Sequence, residues 1–250
     1  MIVVPCPGTH DVAIDHHWLI HVEALVGQGN LPTSSVVVSG NQLTSVDVGS
    51  GNGAIAVTTD GPGVSNVHVT GNRVQGTDDS GVLLRIFGAS ATISDVEVSG
   101  NTITSSCRVQ QSCGSIFLDR IAATSNFTNI VIDGNNLTDG GRYGFWLEGN
   151  TVEVRARNNV LGPHTAGPFN FASPASFAEY SWNSPVTIAQ LGLLGSSGVG
   201  DGSIQPCSDC RTTDPCRRGG KGAVAGRVSG IWKCRSPSSS RPRLILAGRR

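Results

Sequence analysis

Apolar and polar residues alternate along short stretches of this chain, and one alternating phrase recurs four times. Each copy has two apolar residues separated by one residue, then a Gly-Asn pair, then another apolar residue after one further position. The copies are Val36-Val-Val-Ser-Gly-Asn-Gln-Leu43, Val67-His-Val-Thr-Gly-Asn-Arg-Val74, Val96-Glu-Val-Ser-Gly-Asn-Thr-Ile103 and Ile130-Val-Ile-Asp-Gly-Asn-Asn-Leu137. A period of two predicts strands with one buried side and one side facing solvent.

A second phrase, glycine followed by apolar residues, comes after each copy. It occurs as Gly53-Ala-Ile-Ala-Val57, Gly81-Val-Leu-Leu84, Gly114-Ser-Ile-Phe-Leu118 and Gly144-Phe-Trp-Leu147. Each repeat therefore contains at least two strands, and the asparagines of the first phrase lie 31, 29 and 34 positions apart. Such a period is typical of stacked repeats. Because one unit cannot bury its apolar side alone, we expect the units to stack around a continuous core.

The Gly-Asn pair predicts a corner between two strands of a coil. Glycine adopts the left-handed backbone conformation that a tight corner needs, and asparagine can bond to neighbouring backbone groups. We therefore expect the repeated asparagines to form a ladder along the stack; they are Asn41, Asn72, Asn101 and Asn135. A looser copy, Val152-Glu-Val-Arg-Ala-Arg-Asn-Asn-Val160, predicts one more coil with an irregular corner.

These repeats predict an all-β fold, a right-handed parallel β-helix (solenoid) with irregular caps. Residues 1–32 are interpreted as an N-terminal cap or partial first coil, and residues 33–160 as the β-helix repeats. The prolines and aromatic residues of 161–200 indicate a C-terminal cap, because an open stack needs its apolar end covered. Residues 201–250 are interpreted as a short basic tail that contains cysteines.

Composition and charge narrow the class of protein. The 33 glycines and the low share of charged residues, 14%, favour many short strands joined by tight turns. Residues 1–200 carry a formal charge of −8 and residues 201–250 one of +8, so we expect no nucleic acid along the acidic body. No apolar stretch reaches the roughly 18–20 residues of a membrane span. The start of the chain has no basic segment typical of a secretory signal, so we expect another release route or a fragment.

The two phrases together resemble the parallel β-helix repeat of the pectin-lyase-like superfamily over about residues 33–160. Members include pectate lyases, polygalacturonases, phage tail-spike depolymerases and non-catalytic surface proteins. The resemblance implies an extracellular, phage-associated or cell-surface protein that engages a polysaccharide or cell-surface glycan along its elongated face. It leaves open whether the protein is a polysaccharide lyase or glycoside hydrolase, or a non-catalytic adhesion or phage-tail structural protein.

The candidate catalytic residues are Asp78 and Asp79, in the turn Thr77-Asp-Asp-Ser80. This pair resembles the paired aspartates of polygalacturonases, and glycoside hydrolysis needs one carboxyl as acid and another as base. However, the Asn-x-Asp, Gly-His-Gly and Arg-x-Lys triplets that accompany the pair in that family do not follow here. A solvated acidic turn is the favoured interpretation.

A β-elimination lyase would need Ca²⁺ held by carboxylates and a basic residue beside the uronate. Carboxylates on neighbouring coils that could supply oxygen ligands are Asp60, Asp78, Asp79, Asp119 and Asp139, and the basic candidates are Arg85, Arg120 and Arg142. We therefore interpret Arg85, Asp119, Arg120, Asp139 and Arg142 as candidate binding residues. Structural salt bridges would explain the same charges.

Cysteines and histidines offer further alternatives. The tail cysteines Cys207, Cys210, Cys216 and Cys234 fit either a tetrahedral Zn²⁺ site or two disulfides. Disulfides or free thiols are favoured over zinc, because the Cys-x-x-Cys motif occurs once. Cys107 and Cys113 flank a loop and would staple it in an oxidising compartment.

The N-terminal cluster of Asp15, His16, His17 and His21 includes two histidines four residues apart. Such a pair can hold a metal from one helix face. A polar cap segment is the favoured interpretation, because no third ligand is evident nearby.

Overall fold

The computed structural model describes residues 2–3, 10–15, 18–19, 22–25, 32–46, 53–121, 124–172, 175–208 and 223–235, with side chains from residue 32 onward. These residues form three sheets of parallel strands, one helix and a small antiparallel sheet. The chain visits the three parallel sheets in turn and then repeats the circuit, which confirms the all-β parallel β-helix predicted from the sequence.

The three parallel sheets are named here in the order in which one coil visits them. Sheet I contains His10–Asp15 (β2), Thr33–Ser39 (β5), Gly63–Thr70 (β8), Thr92–Ser99 (β11), Asn126–Asp133 (β14), Asn150–Arg157 (β17) and Glu179–Ser181 (β20). Sheet II contains Trp18–Leu19 (β3), Gln42–Val46 (β6), Arg73–Thr77 (β9), Thr102–Thr104 (β12), Asn136–Thr138 (β15) and Val160–Leu161 (β18). Sheet III contains Ile2–Val3 (β1), Val22–Leu25 (β4), Gly53–Thr59 (β7), Ser80–Ile86 (β10), Gly114–Arg120 (β13), Tyr143–Glu148 (β16) and Gly167–Ala172 (β19).

The apolar positions of the repeated phrases build one continuous core. In sheet I, Val67, Val96 and Ile130 occupy successive rungs of the ladder and are buried. The residue between the two apolar positions points outward, as period-two alternation requires. Each coil thus adds one layer to a core that no single coil could close.

The corner between sheets I and II is the Gly-Asn pair. Its glycines have φ near +60°, the left-handed conformation that a Cβ disfavours. The amide of each following asparagine is buried and bonds along the stack: Asn72 Nδ2 donates to Asn101 Oδ1 at 3.0 Å, and Asn101 Nδ2 donates to Asn135 Oδ1 at 2.9 Å. The same oxygen also accepts the backbone N–H of the preceding asparagine.

This asparagine ladder is longer than the four expected rungs. Asn41 bonds to Asn72 at its start, and Asn159 and Asn183 continue it beyond Asn135. Gln205 ends it by accepting the Asn183 N–H and donating back to the Asn183 carbonyl. In the later coils Asn158 and Trp182 replace the corner glycine, and both keep a positive φ.

The stack extends beyond residue 160, the end that the phrases indicated. Strand β19 pairs with β16 and β20 pairs with β17, so both strands still follow the coil. This part of the chain lacks the Gly-Asn phrase, which is why periodicity alone did not include it. At the other end, β2 and β4 pair with β5 and β7 as a first coil.

A cap closes the C-terminal end of the stack. It consists of helix α1 (Ile188–Ser196) and the antiparallel strands Ile204–Cys207 (β21), Ala223–Val228 (β22) and Ile231–Arg235 (β23). Thr187 and Gln190 start α1 with reciprocal side-chain bonds to backbone N–H groups. The aromatic rings that fill the last coils pack edge to face; they are Phe145, Phe169, Phe171, Phe177 and Tyr180. With nine residues, α1 is too short to cross a bilayer, and it is the one helix in the described residues.

Three of the cysteines are shown in disulfides, and Cys234 is described only as backbone. Cys107 and Cys113 are linked, and the pair lies mid-chain in the loop between β12 and β13. Cys207 is also disulfide-bonded. Cys210 and Cys216 lie outside the described residues. Of the N-terminal metal candidates, His16, His17 and His21 lie outside them as well, and Asp15 is described only as backbone.

The asparagine ladder predicts that replacing two adjacent asparagines with alanine will change the free energy of unfolding by very different amounts. Asn135→Ala would leave the Asn101 N–H and the Val98 carbonyl unpaired inside the protein. Each buried unpaired group costs about 1–3 kcal/mol, so we expect a loss of about 3 kcal/mol in the free energy of unfolding. The exposed Asn136→Ala should change it by less than about 0.5 kcal/mol. Urea unfolding of both variants checks this, and equal losses would contradict the ladder's role.

Candidate functional site

Two rows of side chains cross the outer face of sheet III. In-register pairing places equivalent residues on adjacent strands about 4.8 Å apart. The row that we call the apolar row contains Ala56, Leu83, Phe117, Trp146 and Asn170. The row that we call the charged row lies two residues further along each strand and contains Thr58, Arg85, Asp119, Glu148 and Ala172. Both rows point away from the core, because the residues between them fill it.

The centre of the charged row is an ion pair. Arg85 donates from Nε to Oδ2 of Asp119, and the two side chains are only 12% and 10% exposed. Desolvated charges are costly unless they are paired, so this contact holds both groups in place. The Arg85 guanidinium also lies 5.6 Å from the ring centre of Phe87.

Glu148 adds a second carboxyl beside Asp119. Asp119 and Glu148 directly follow the paired residues Leu118 and Leu147 on neighbouring strands, so the two carboxyls come from successive coils and lie side by side. Burial, followed by the negative charge of Asp119, raises the pKa of Glu148 above its ordinary value. Arg85 and the nearby indole of Trp146 act in the opposite direction, although Trp146 Nε1 does not reach hydrogen-bond geometry. The pair therefore retains one proton at a pH where an isolated glutamate is ionised.

Aromatic and apolar side chains border the carboxyl pair on both sides. On one side the Trp146 ring packs 5.3 Å from Phe117 and 5.4 Å from Tyr143. Leu83 and Phe117 are buried, whereas Trp146 and Tyr143 are half-exposed. On the other side Phe87 and Ile121 are 45% and 58% exposed. The accessible surface around Glu148 is thus an apolar strip with an acid at its centre.

This surface is open rather than enclosed. The described cavities of about 470 and 240 Å³ lie at the C-terminal end of the stack, and neither is lined by Glu148 or Asp119. Asn170, which follows Trp146 in the apolar row, lines the larger of them. An open face that runs across several coils suits a long ligand better than a compact one.

The aspartates proposed as catalytic lie elsewhere. Asp78 and Asp79 precede β10, whereas Arg85 and Asp119 lie near the far ends of their strands. Asp78 accepts a hydrogen bond from Arg108 at 2.7 Å, and Asp79 accepts the Ser80 backbone N–H at 2.7 Å. Both carboxylates thus support their own turn, and the structure does not bring them to the Glu148 pair.

The candidate binding residues divide into two groups. Arg85 and Asp119 meet in the charged row, whereas Arg120 donates to the Ser125 carbonyl and Arg142 to the Gln111 carbonyl. Asp139 occupies a left-handed corner between β15 and β16, with φ of +56°. These three residues support loops and corners.

Asp60, Asp78, Asp79, Asp119 and Asp139 do not converge as calcium ligands. In the part of the chain that the structure describes, no three His, Cys, Asp or Glu side chains form a group that could hold a metal ion.

Sequence reasoning missed Glu148, although a signal for it was present. In three successive copies, the glycine-apolar phrase is followed at once by a charged residue: Arg85, Asp119 and Glu148. Aligning the phrases by their last apolar residue would have placed these three charges in one row.

The disulfide loop lies beside the turn of the two aspartates. The Cys107 N–H donates to the Asp79 carbonyl at 2.8 Å, and Arg142 from the next coil donates to the loop at Gln111. This loop lies at the beginning of the sheet III strands, away from Glu148.

Comparison of the chain with protein-family models, curated proteins and solved structures gives no match in any of the three.

The raised pKa of Glu148 predicts a pH-dependent gain in stability for Glu148→Gln. A raised pKa means that Glu148 favours folding below its ordinary pKa and that this contribution is lost as the pH rises through the folded-state value. Glutamine cannot ionise, so the variant should match the native protein near pH 4 and unfold at a higher temperature near pH 8.

Glu97→Gln is the matched control, and its effect on stability should have the opposite sign. A hydrogen bond from Ser99 lowers the pKa of Glu97, so its contribution is present above the ordinary pKa and lost as the pH falls. This variant should be slightly less stable than the native protein near pH 8 and equal to it near pH 3. Thermal unfolding across this pH range checks both, and parallel curves for Glu148→Gln and native protein would contradict the shared proton.

Proposed function

We propose that the protein binds a polysaccharide or cell-surface glycan along the outer face of sheet III and hydrolyses its glycosidic bonds, with Glu148 as the proton donor. The observation that carries this proposal is the placement of Glu148 next to Asp119 on neighbouring strands, beside the Arg85–Asp119 ion pair. Catalysis on this scaffold needs carboxylates from different coils to converge near a basic residue. Burial and the charge of Asp119 raise the pKa of Glu148, which favours the protonated form that a general acid needs.

The carboxyl pair has the parts for an acid–base hydrolysis. Glu148 gives its proton to the glycosidic oxygen as the bond to the anomeric carbon breaks. Water then adds to that carbon, and its released proton returns to the carboxylate pair, so one water is consumed and two hydroxyl ends form. The hydrogen bond from Arg85 Nε holds the Asp119 carboxylate in place.

The spacing of the carboxyls differs from that of separate acid and base groups. Glycosidases commonly hold their two carboxyls about 5–5.5 Å apart when they retain configuration and about 6.5–9.5 Å apart when they invert it. Glu148 and Asp119 instead follow paired residues on neighbouring strands, and burial and the nearby charge of Asp119 raise the pKa of Glu148, as in close carboxyl pairs.

The borders of the pair fit a sugar chain. Sugars present apolar C–H faces and polar hydroxyl edges, and the half-exposed Trp146 and Tyr143 offer amphipathic rings beside the acid. Phe87 and Ile121 offer apolar contacts on the opposite side. A polymer lying along the rows would contact several coils at once.

We also propose that the chain belongs to the pectin-lyase-like superfamily and acts outside the cell or on a phage or cell surface. The three parallel sheets and the repeated Gly-Asn corner support the first part. The Cys107–Cys113 disulfide supports the second, because disulfides persist in oxidising compartments.

A non-catalytic surface or adhesion protein is the second candidate function. The observation that favours it is the near-complete burial of the Arg85–Asp119 pair, which is also what a structural ion pair would show. In that case the outer face would bind a glycan, or act as a rigid spacer, without cleaving it.

Reducing-end release and unsaturated-product absorbance across acidic and neutral polysaccharides would test the proposal. We expect hydrolysis of at least one polymer, with new reducing ends and no unsaturated product. Glu148→Gln should lower kcat at least about 100-fold, as loss of a general acid does. Native activity should fall as the pH rises through the raised pKa of Glu148.

Two control variants identify the site. Glu97→Gln, on the outer face of sheet I, should keep full activity. The double variant Asp78→Asn/Asp79→Asn should keep activity if Glu148 is the acid. Loss of activity in this variant would instead indicate that Asp78 or Asp79 is catalytic. Unsaturated products would indicate a lyase, and glycan binding without products would favour the non-catalytic alternative.

A further inference from the structure

A cavity of about 240 Å³ lies at the C-terminal end of the stack, apart from the carboxyl pair. Its walls come from the turn after β18, the start of β19 and the segment that leads into α1. The lining of the cavity includes Gly162, His164, Pro168, Tyr180, Ser184 and Gln190. The volume is below the roughly 300–1,000 Å³ of sites for drug-sized ligands, so it suits one small molecule.

Tyr180 provides an unpartnered hydroxyl at this cavity. Its backbone belongs to β20 of sheet I, and its side chain forms part of the cavity wall. The side chain is fully buried, and its hydroxyl has no hydrogen-bond partner. Burial raises the pKa of Tyr180 well above its usual value, so the hydroxyl remains a donor.

Two further donors line the same space. The Ser184 Oγ accepts the Leu161 N–H at 2.7 Å, which leaves its own hydrogen available. The Gln190 Oε1 accepts the Thr187 N–H at 2.7 Å, and this orients the side-chain NH₂ group away from that bond. Among the described residues neither of these hydrogens has an acceptor.

His164 contributes a fixed, uncharged wall. Its Nδ1 lies 2.9 Å from the Gly162 carbonyl and can bond there only as a donor, so Nε2 accepts the hydroxyl hydrogen of the buried Ser115 at 3.0 Å. Burial lowers the pKa of His164, which keeps the ring neutral. No Asp, Glu, Lys or Arg lines the cavity.

We infer that this cavity is a binding site for a small neutral polyol, such as a single monosaccharide. Hydroxyl oxygens of the ligand accept from Tyr180, Ser184 and Gln190, and its hydroxyl hydrogens reach the second lone pair of the Gly162 carbonyl. Apolar C–H groups pack on Pro168. An ionic ligand is disfavoured, because the lining offers no opposite charge to offset desolvation.

The test removes one oxygen atom, the Tyr180 hydroxyl. Titration calorimetry of the full chain with D-glucose, D-galactose, D-mannose and glycerol should show binding of at least one probe. Tyr180→Phe should weaken that binding at least tenfold. Glu97→Gln, on the outer face of sheet I and in neither site, should leave it unchanged. The readout is binding rather than cleavage, so a failure of this test is distinct from a failure of the proposed hydrolysis.

Three results would overturn the inference. The first is no binding of any of the four probes, and the second is equal binding by Tyr180→Phe and native protein. The third is a lower unfolding temperature for Tyr180→Phe without ligand, since that loss would show that the hydroxyl is bonded within the protein. Acetate or D-galacturonate that binds more tightly than the neutral probes would overturn the assigned ligand class.

Discussion

Every buried amide along the stack needs a hydrogen-bond partner, and the rest of this structure depends on that constraint. Each ladder asparagine accepts two N–H groups with one oxygen and donates to a carbonyl of the preceding coil, as Asn101 does with Val69. A buried amide that loses its partner costs more than the bond itself contributes, so every coil must present an asparagine at this position. Gln205 ends the ladder because its longer amide reaches the last unpaired groups.

The ladder fixes the corner but not the length of the coil. Successive rungs lie between 22 and 34 residues apart, and the difference is taken up in loops. The disulfide loop of residues 107–113 is one such insertion, and it leaves the pairing of β12 and β13 with their neighbours intact. Repeat proteins of this kind can therefore change their surface without changing their core.

In-register stacking also explains how the candidate site arises. A parallel ladder brings equivalent residues of successive coils into contact, so Arg85, Asp119 and Glu148 meet although about thirty residues separate them in sequence. The same proximity would repel two carboxylates. Arg85 offsets the charge of Asp119, and the raised pKa of Glu148 favours its neutral form, which makes a partly buried acidic pair tolerable.

The sequence by itself determined the coil. The alternation around Val67 and Val96, and the Gly-Asn corners, are local signals that report burial and backbone conformation directly. It also placed Arg85 and Asp119 among the binding candidates, and it paired Cys107 with Cys113. The later coils were harder to recognise, because Asn158 and Trp182 take the corner conformation without glycine.

Only the tertiary structure decided which charges meet. Adjacent Asp78 and Asp79 looked like an acid pair in sequence, yet each supports its own turn. Glu148 and Asp119 are distant in sequence and become neighbours across coils, and Tyr180 lines a cavity at the C-terminal end of the stack. Local patterns encode which side of a strand is buried, whereas contacts between coils depend on the register of the stack, which exists only once the chain has folded.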